Sequence, residues 1–381
     1  MTLIAAFAVN KVPIIIGDVL VSATRPTDKS IPLPGSGQPS HNFAGDFQAV
    51  GLTQKVNVIS DNLIVAWAGP KIVASTFVRE LKRAMLSISS PSWEYVNRVI
   101  EKLKKEELSI RLAKNFSFVL LYRDHKHVLI DGHNMRMEKV EGFESLLVAG
   151  SGSEAFIHLL KSVGGSSNGE MPEWVKTAHT VISLTTNLWS LDITSQINIY
   201  HGFGGGYEIG TRIGDGLGKV GDILLAAVEV DATGWVRVNP RLTKLDYLDD
   251  HLVIRVLDLQ GPARRADEGL DSTVTFQEKQ TTRGFIISPV DKQLVKIEEL
   301  ELERLPDWNA MHTGVLLTGK AQNGKYLSRT FQYTSPQRNS PIRIEHQEGY
   351  GKVTWAPELT GVLVRCAKEF LSSNSASNDG V

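Results

Sequence analysis

The chain has 381 residues, 42% of them hydrophobic, and a formal net charge of −1. That length accommodates two domains, or one large domain with an elaboration, and near-neutral charge argues against nucleic acid or an anionic membrane as the main partner. The single cysteine, Cys366, excludes a disulfide framework and a cysteine-based zinc site. It falls in "ELTGVLVRCAKEF", an amphipathic helical pattern, and reads as a core thiol in a reducing, cytoplasmic setting.

In chain order, the apolar runs 3–9 and 12–23 read as two buried strands joined by a turn at Asn10–Lys11. They are not expected to form a signal peptide: no basic region leads them, and Lys11 and Asp18 interrupt them. No stretch has the length of a membrane-spanning helix. Residues 24–45, rich in Pro, Gly and Ser, read as a long surface loop. Strands at 55–60 and 62–69 follow, then helices at about 71–87 and 92–106. Next come a hairpin over 115–132, a strand at 144–150, a helix from 151, a connector at 164–170 and a helix over 172–190. Strands fall in blocks and helices in pairs, so largely antiparallel sheets with helices on their outer faces are expected. After about residue 197 the texture becomes glycine-punctuated and strand-like, with a closing helix at 357–372 and a disordered polar tail, 373–381.

Three familiar signatures fail. "GLGKVG" (216–221) satisfies G-x-G-x-x-G but runs into "DILLAAVEV", a strand-like stretch, where a dinucleotide site needs a helix. "DHKH" (124–127) sits at the expected hairpin tip without a third metal ligand nearby. H-E-x-x-H does not occur.

Another constellation holds together. Removal of Met1 would leave Thr2 with a hydroxyl and a free α-amine on one Cα. Such an amine titrates near ~7.7–8.0, so one residue would supply both nucleophile and base. A nearby ammonium would favour the developing alkoxide, and a carboxylate would keep that ammonium charged; Asp18 and Lys55 are the candidates. Taken singly, each has a plainer reading: Thr2 as a tolerated start residue, Asp18 as a turn residue, Lys55 as a strand-start cation.

Their spacing resembles that of the proteasome β-type subunits and their bacterial relatives among the N-terminal-nucleophile hydrolases. In that pattern an Asp stands sixteen residues past the Thr, a Ser or Thr four further on, and a strand headed by Lys ends in Ala-Gly fourteen residues later. Thr2, Asp18, Ser22, Lys55 and Gly69 fit it, as do Gly150-Ser151-Gly152 before a helix and Asp192-x-x-Ser195 after the next helices. The resemblance covers residues 2–200. It implies an α+β fold, a four-layer αββα sandwich, with an appended β-rich C-terminal region: a hydrolase domain over 1–240 with 24–45 as a loop insertion, then an extension over 241–372. It implies that Thr2 attacks a peptide or amide carbonyl, Lys55 tunes it, Asp18 holds Lys55 and the Gly69 N–H forms the oxyanion hole. Ser151, Asp192 and Ser195 would order the α-amine and a proton-relaying water, and Ser22 and Trp67 would contact substrate. No metal or cofactor is called for, and a homo-oligomer is the family habit. Departures are Gln196 in place of a glycine, an Asp18–Lys55 segment about twenty residues longer than usual, and a bulky Trp67 where pocket depth is set. Ser151 and Gly152 also suit a helix cap, and Asp192 and Ser195 also suit loop polar groups. A non-catalytic assembly or binding subunit and a small-molecule amide hydrolase remain the alternative functions.

Overall fold

In a computed structural model, the protein is described over residues 2–23, 31–35, 48–86, 88, 91–106, 115–124, 127–163, 173–194, 197–230, 235–237, 241–258, 264–265, 273–277, 282–292, 307–320, 326–347 and 350–372. Most of the expected loop 24–45, the connector 164–170, the tail 373–381, His125, Ser195 and Gln196 lie outside the described residues.

The N-terminal hairpin is set by its turn. Asn10 and Lys11 both take positive φ (50° and 65°), the two-residue geometry that matches strand twist. It pairs β1 (Ile4–Val9) with β2 (Val12–Asp18) from Val9↔Val12 to Ile4↔Gly17. This hairpin is the centre of a six-stranded antiparallel sheet. The remaining strands are β9 (Arg136–Val140), β10 (Phe143–Ala149), β11 (Tyr207–Ile213) and β12 (Gly216–Lys219), in the order β12-β11-β2-β1-β10-β9. A short pair, β3 (Leu20–Ala23) with β4 (Gln48–Leu52), leaves the end of β2. A four-stranded antiparallel sheet holds β5 (Val56–Ser60), β6 (Leu63–Ala68), β7 (Ser117–Arg123) and β8 (Val128–His133).

Side-chain alternation allots each face its partner. Ile4, Ala6 and Ile15 meet Ile64, Ala66, Val119 and Leu121 between the two sheets. Leu3, Ala5 and Phe7 face away, onto α3 (Ser153–Val163) and α4 (Glu173–Thr194). Leu63, Val65 and Trp67 turn to α1 (Lys71–Met85) and α2 (Trp93–Glu106). A one-turn helix, α5 (Ile197–Tyr200), follows α4.

The chain as a whole corrects the expected α+β, four-layer αββα sandwich. Among the described residues strand outnumbers helix, and the strands divide among several sheets whose strand pairings, that of β13 with β20 apart, are antiparallel. The largest has eight strands. Its members are β13 (Ile223–Val230), β14 (Trp235–Arg237), β15 (Arg241–Leu248), β16 (His251–Asp258), β17 (Arg264–Arg265), β19 (Thr282–Ile287), β20 (His312–Lys320) and β21 (Tyr326–Thr334). Here β13 and β20 pair in parallel, from Ile223↔His312 to Val230↔Gly319. A three-stranded sheet of β18 (Thr273–Gln277), β22 (Ile342–Gln347) and β23 (Tyr350–Trp355) is hydrogen-bonded separately and shares a core with it. The physical reason is visible at α4: besides its contact with the first sheet, it packs along β20 and β21, and Trp189 sits among Val19, Ile223, Leu225 and Ile254. A helix shared between two sheets cannot be the outer layer of one sandwich.

Cys366 lies buried in α6 (Pro357–Ser372), among Val315, Leu317, Val353 and Trp355. "GLGKVG" supplies strand β12 and opens no helix. Among the described residues no helix is long and apolar enough to cross a membrane.

Candidate active site

The hairpin register brings the first site residues together. With Ile4 opposite Gly17, the next step outward sets Leu3 beside Asp18, whose N–H donates to the Leu3 carbonyl at 3.1 Å. Thr2, at the mouth of β1, then donates its hydroxyl to Asp18 Oδ1 at 2.7 Å. The sixteen-residue interval between them is the length of this hairpin.

Lys55 arrives from the facing sheet, immediately before β5. Gly17 makes room for it: a Cβ there would stand 3.3 Å from Lys55 Cβ. The Lys55 Nζ donates to Asp18 Oδ1 at 2.5 Å, to the Leu20 carbonyl at 2.7 Å and to Thr2 Oγ1. Three acceptors match the three N–H groups of an ammonium. Burial pulls Lys55 below the usual lysine range, and the carboxylates of Asp18 and Glu208 oppose that pull. Lys55 is 1% exposed, Asp18 0% and Thr2 3%.

Asp18 is held from several sides. Its Oδ1 also accepts from the Leu3 N–H at 2.9 Å, and its Oδ2 from Gly204 N–H at 2.9 Å and Leu20 N–H at 3.3 Å. Thr2 is anchored through its backbone. Its N–H donates to Ser151 Oγ at 3.1 Å, and its carbonyl accepts from Gly152 N–H at 3.1 Å. Gly150, at φ 99°, lets this approach happen, because a Cβ there would lie 2.1 Å from the Thr2 carbonyl oxygen.

The other anticipated residues are placed as follows. Asp192, on α4, does not bond Thr2. Its carboxylate accepts from Gly205 N–H at 2.9 Å and from Tyr207 Oη at 3.0 Å, and burial pushes it up to about 7. Gly69 closes β6, the strand whose Trp67 N–H donates to the Lys55 carbonyl at 3.2 Å; the hydrogen bonds described around Thr2 do not include it. Trp67 is 1% exposed in the apolar cluster with Phe77 and Phe118, so it fills space beneath α1 instead of lining an open pocket. Ser22 is half-buried on β3, opposite Ala49. Ser195 lies outside the described residues. Among the described residues, no group of three or more His, Cys, Asp or Glu side chains is placed to hold a metal ion.

Sequence reasoning missed two contributors. The glycine-rich loop 202–206 delivers the Gly204 N–H to Asp18 and the Gly205 N–H to Asp192, so it ties the two carboxylates to one backbone turn. The run "GFGGG" was the available signal. The second is Glu208, opposite Gly17 on β11. Its signal was a charge inside the otherwise apolar strand "YEIG". A cleft of about 500 Å³ lined by Asp61, Trp93, Tyr122 and Asp215 shares no residue with this cluster.

No protein-family model matches the chain, and no curated protein matches it.

Proposed function

We propose that this protein is a threonine hydrolase that cleaves peptide or amide bonds, with Thr2 as its nucleophile once Met1 is removed. The observation that carries the reading is the buried cluster in which Thr2 Oγ1, the Asp18 carboxylate and the Lys55 ammonium are mutually hydrogen-bonded. The likeness to proteasome β-type subunits rests on these site residues and not on the overall architecture.

In the proposed reaction the Thr2 α-amine takes the proton of Oγ1 as that oxygen attacks the substrate carbonyl carbon. The Lys55 ammonium, already donating to Oγ1, stabilises the developing negative charge there, and Asp18 keeps the ammonium in place. The protonated α-amine then gives its proton to the leaving amine as the C–N bond breaks, which leaves an ester on Thr2. Water hydrolyses that ester with the α-amine again as base and frees the hydroxyl. Ser151 Oγ, 3.1 Å from the Thr2 nitrogen, would orient that amine.

The test is the intact mass of the purified protein before and after a peptide α′,β′-epoxyketone, a reagent that closes a ring on a hydroxyl and an adjacent amine. Loss of Met1 with a one-to-one adduct is the expected result. A retained Met1 and no adduct would favour the second reading, a non-catalytic binding or assembly subunit. One observation supports that alternative: Asp18 also accepts three backbone N–H groups, those of Leu3, Leu20 and Gly204, as a purely structural clasp would.

A further inference from the structure

We infer that Glu208 is a positioning residue for Lys55, holding the start of β5 so that the ammonium meets Thr2. The inference rests on the hydrolase reading. Neighbours on β11 point to opposite sides: Tyr207 reaches Asp192 on the helical side, and Glu208 reaches the facing sheet. Its Oε2 accepts from the Lys55 N–H at 2.7 Å and the Val56 N–H at 3.1 Å. Lys55 stands just before the β5–β6 register begins at Val56↔Ala66, and β5 is the edge strand of its sheet, so Glu208 bonds the chain where the ladder begins. A carboxylate spanning two consecutive N–H groups fixes the peptide plane from which the Lys55 side chain departs.

The other oxygen is fixed in turn. Oε1 accepts from Lys219 Nζ at 2.8 Å, which balances the buried charge. Lys219 also donates to Gln54 Oε1. Gln54, one residue before Lys55, gives its amide N–H groups to the carbonyls of Asp250 (2.7 Å) and Ile287 (2.5 Å). The backbone N–H of Gln54 reaches the Ser288 carbonyl at 3.0 Å. The chain around Lys55 is therefore gripped by β11 on one side and by the large C-terminal sheet on the other. This gives Asp250, Ile287 and Ser288 a share in the placement of Lys55.

The groups that face Lys55 are Asp18 on β2, Thr2 before β1 and Glu208 on β11, with Lys219 on β12 behind Glu208. Length and charge at position 208 can be separated. Glu208→Asp keeps the charge and the Lys219 pair but withdraws the carboxylate by one methylene. Glu208→Gln combined with Lys219→Met keeps the reach and an acceptor oxygen and removes both charges. The rate of epoxyketone addition to Thr2 is measured for both, with its pH profile and with hydrogen exchange of the 53–58 segment. If Glu208 positions Lys55, Glu208→Asp lowers the limiting rate at least about tenfold, since ~1 Å of misplacement is enough for a loss of that order, with probe affinity within about twofold. It also speeds exchange at Lys55 and Val56. The Glu208→Gln/Lys219→Met protein stays within about threefold of the parent rate and keeps its pH profile. Unchanged rates in both, or a loss confined to the charge-free pair, overturn the positioning role and leave the hydrolase reading intact. Absence of labelling in the Met1-processed parent overturns both.

Discussion

The Lys55 ammonium and the Asp18 carboxylate lie 2.5 Å apart with side chains 2% and 0% exposed. A buried pair of this kind contributes little over a well-packed apolar pair, but breaking it leaves an uncompensated charge that costs about 3–5 kcal/mol. Lys55→Met and Asp18→Asn are each expected to lose stability of that order in urea unfolding. The double variant should regain part of the loss, because neither charge of the pair is then left buried without its partner. A Lys55→Met protein destabilised by less than about 1 kcal/mol would mean the pair is not ionised in the folded state. Both single variants should also lose epoxyketone reactivity, since neither keeps a held ammonium at Thr2 Oγ1.

Thr2 offers a cleaner separation of chemistry from stability. Its hydroxyl makes one bond to Asp18 and takes one from Lys55, and a hydrogen bond contributes only about 0.5–1.5 kcal/mol net. Thr2→Ala should therefore fold with a modest loss in denaturation midpoint and form no adduct. Thr2→Ser should retain labelling at a reduced rate. Adduct formation by Thr2→Ala, measured by intact mass, would remove Thr2 from the mechanism.

The glycine turn beside the site is equally specific. Gly204 holds φ 109°, and a Cβ there would stand 2.6 Å from Asp192 Oδ1. Gly204→Ala meets both a backbone penalty of roughly 1–3 kcal/mol and a clash with a fully buried carboxylate. It should also shift the Gly204 N–H away from Asp18. The expected outcome is a lower unfolding midpoint together with slower labelling of Thr2. A variant as stable and as reactive as the parent would mean the turn does not hold Asp18.

What the sequence made legible follows its short-range physics. The Thr2–Asp18 juxtaposition is a property of one hairpin, and the two continuous apolar runs with the Asn10–Lys11 turn between them make that hairpin legible. Lys55 heads a strand that stacks on that hairpin, and its charge in apolar company marked it. Glu208 and the Gly204 N–H were harder to read, because each meets its partner across more than 150 residues: the lone charge in "YEIG" and the run "GFGGG" mark the positions without naming their partners. The fold class failed for a similar reason. The parallel pairing of β13 with β20 spans about ninety residues, and nothing in "PEWVKTAHTVISLTTNLWS" says that one helix serves two sheets. Trp67, which its position relative to Gly69 marks as a residue that sets pocket depth, is sent by alternation along β6 to the α1 cluster instead.

Asp192 gives the pH dependence. Burial raises its carboxyl from an ordinary value near 3.8 to about 7, against the bonds donated by Tyr207 and Gly205. Between those two values the folded protein holds a proton that the unfolded chain has released, so stability falls as pH rises through that window and levels off above it. Its contribution is fully present below about pH 4 and gone above about pH 7. The change is on the order of a few kcal/mol, because a tenfold difference in proton affinity between the two states corresponds to ~1.4 kcal/mol. Asp192→Asn cannot ionise, and its amide oxygen still accepts from one of the two donors. Unfolding measured from pH 4 to pH 8 should therefore be flatter in Asp192→Asn than in the parent, with the variant gaining relative stability at the alkaline end. Parallel curves for the two proteins would mean that Asp192 is ionised throughout. The Tyr207 and Gly205 donors would then outweigh desolvation.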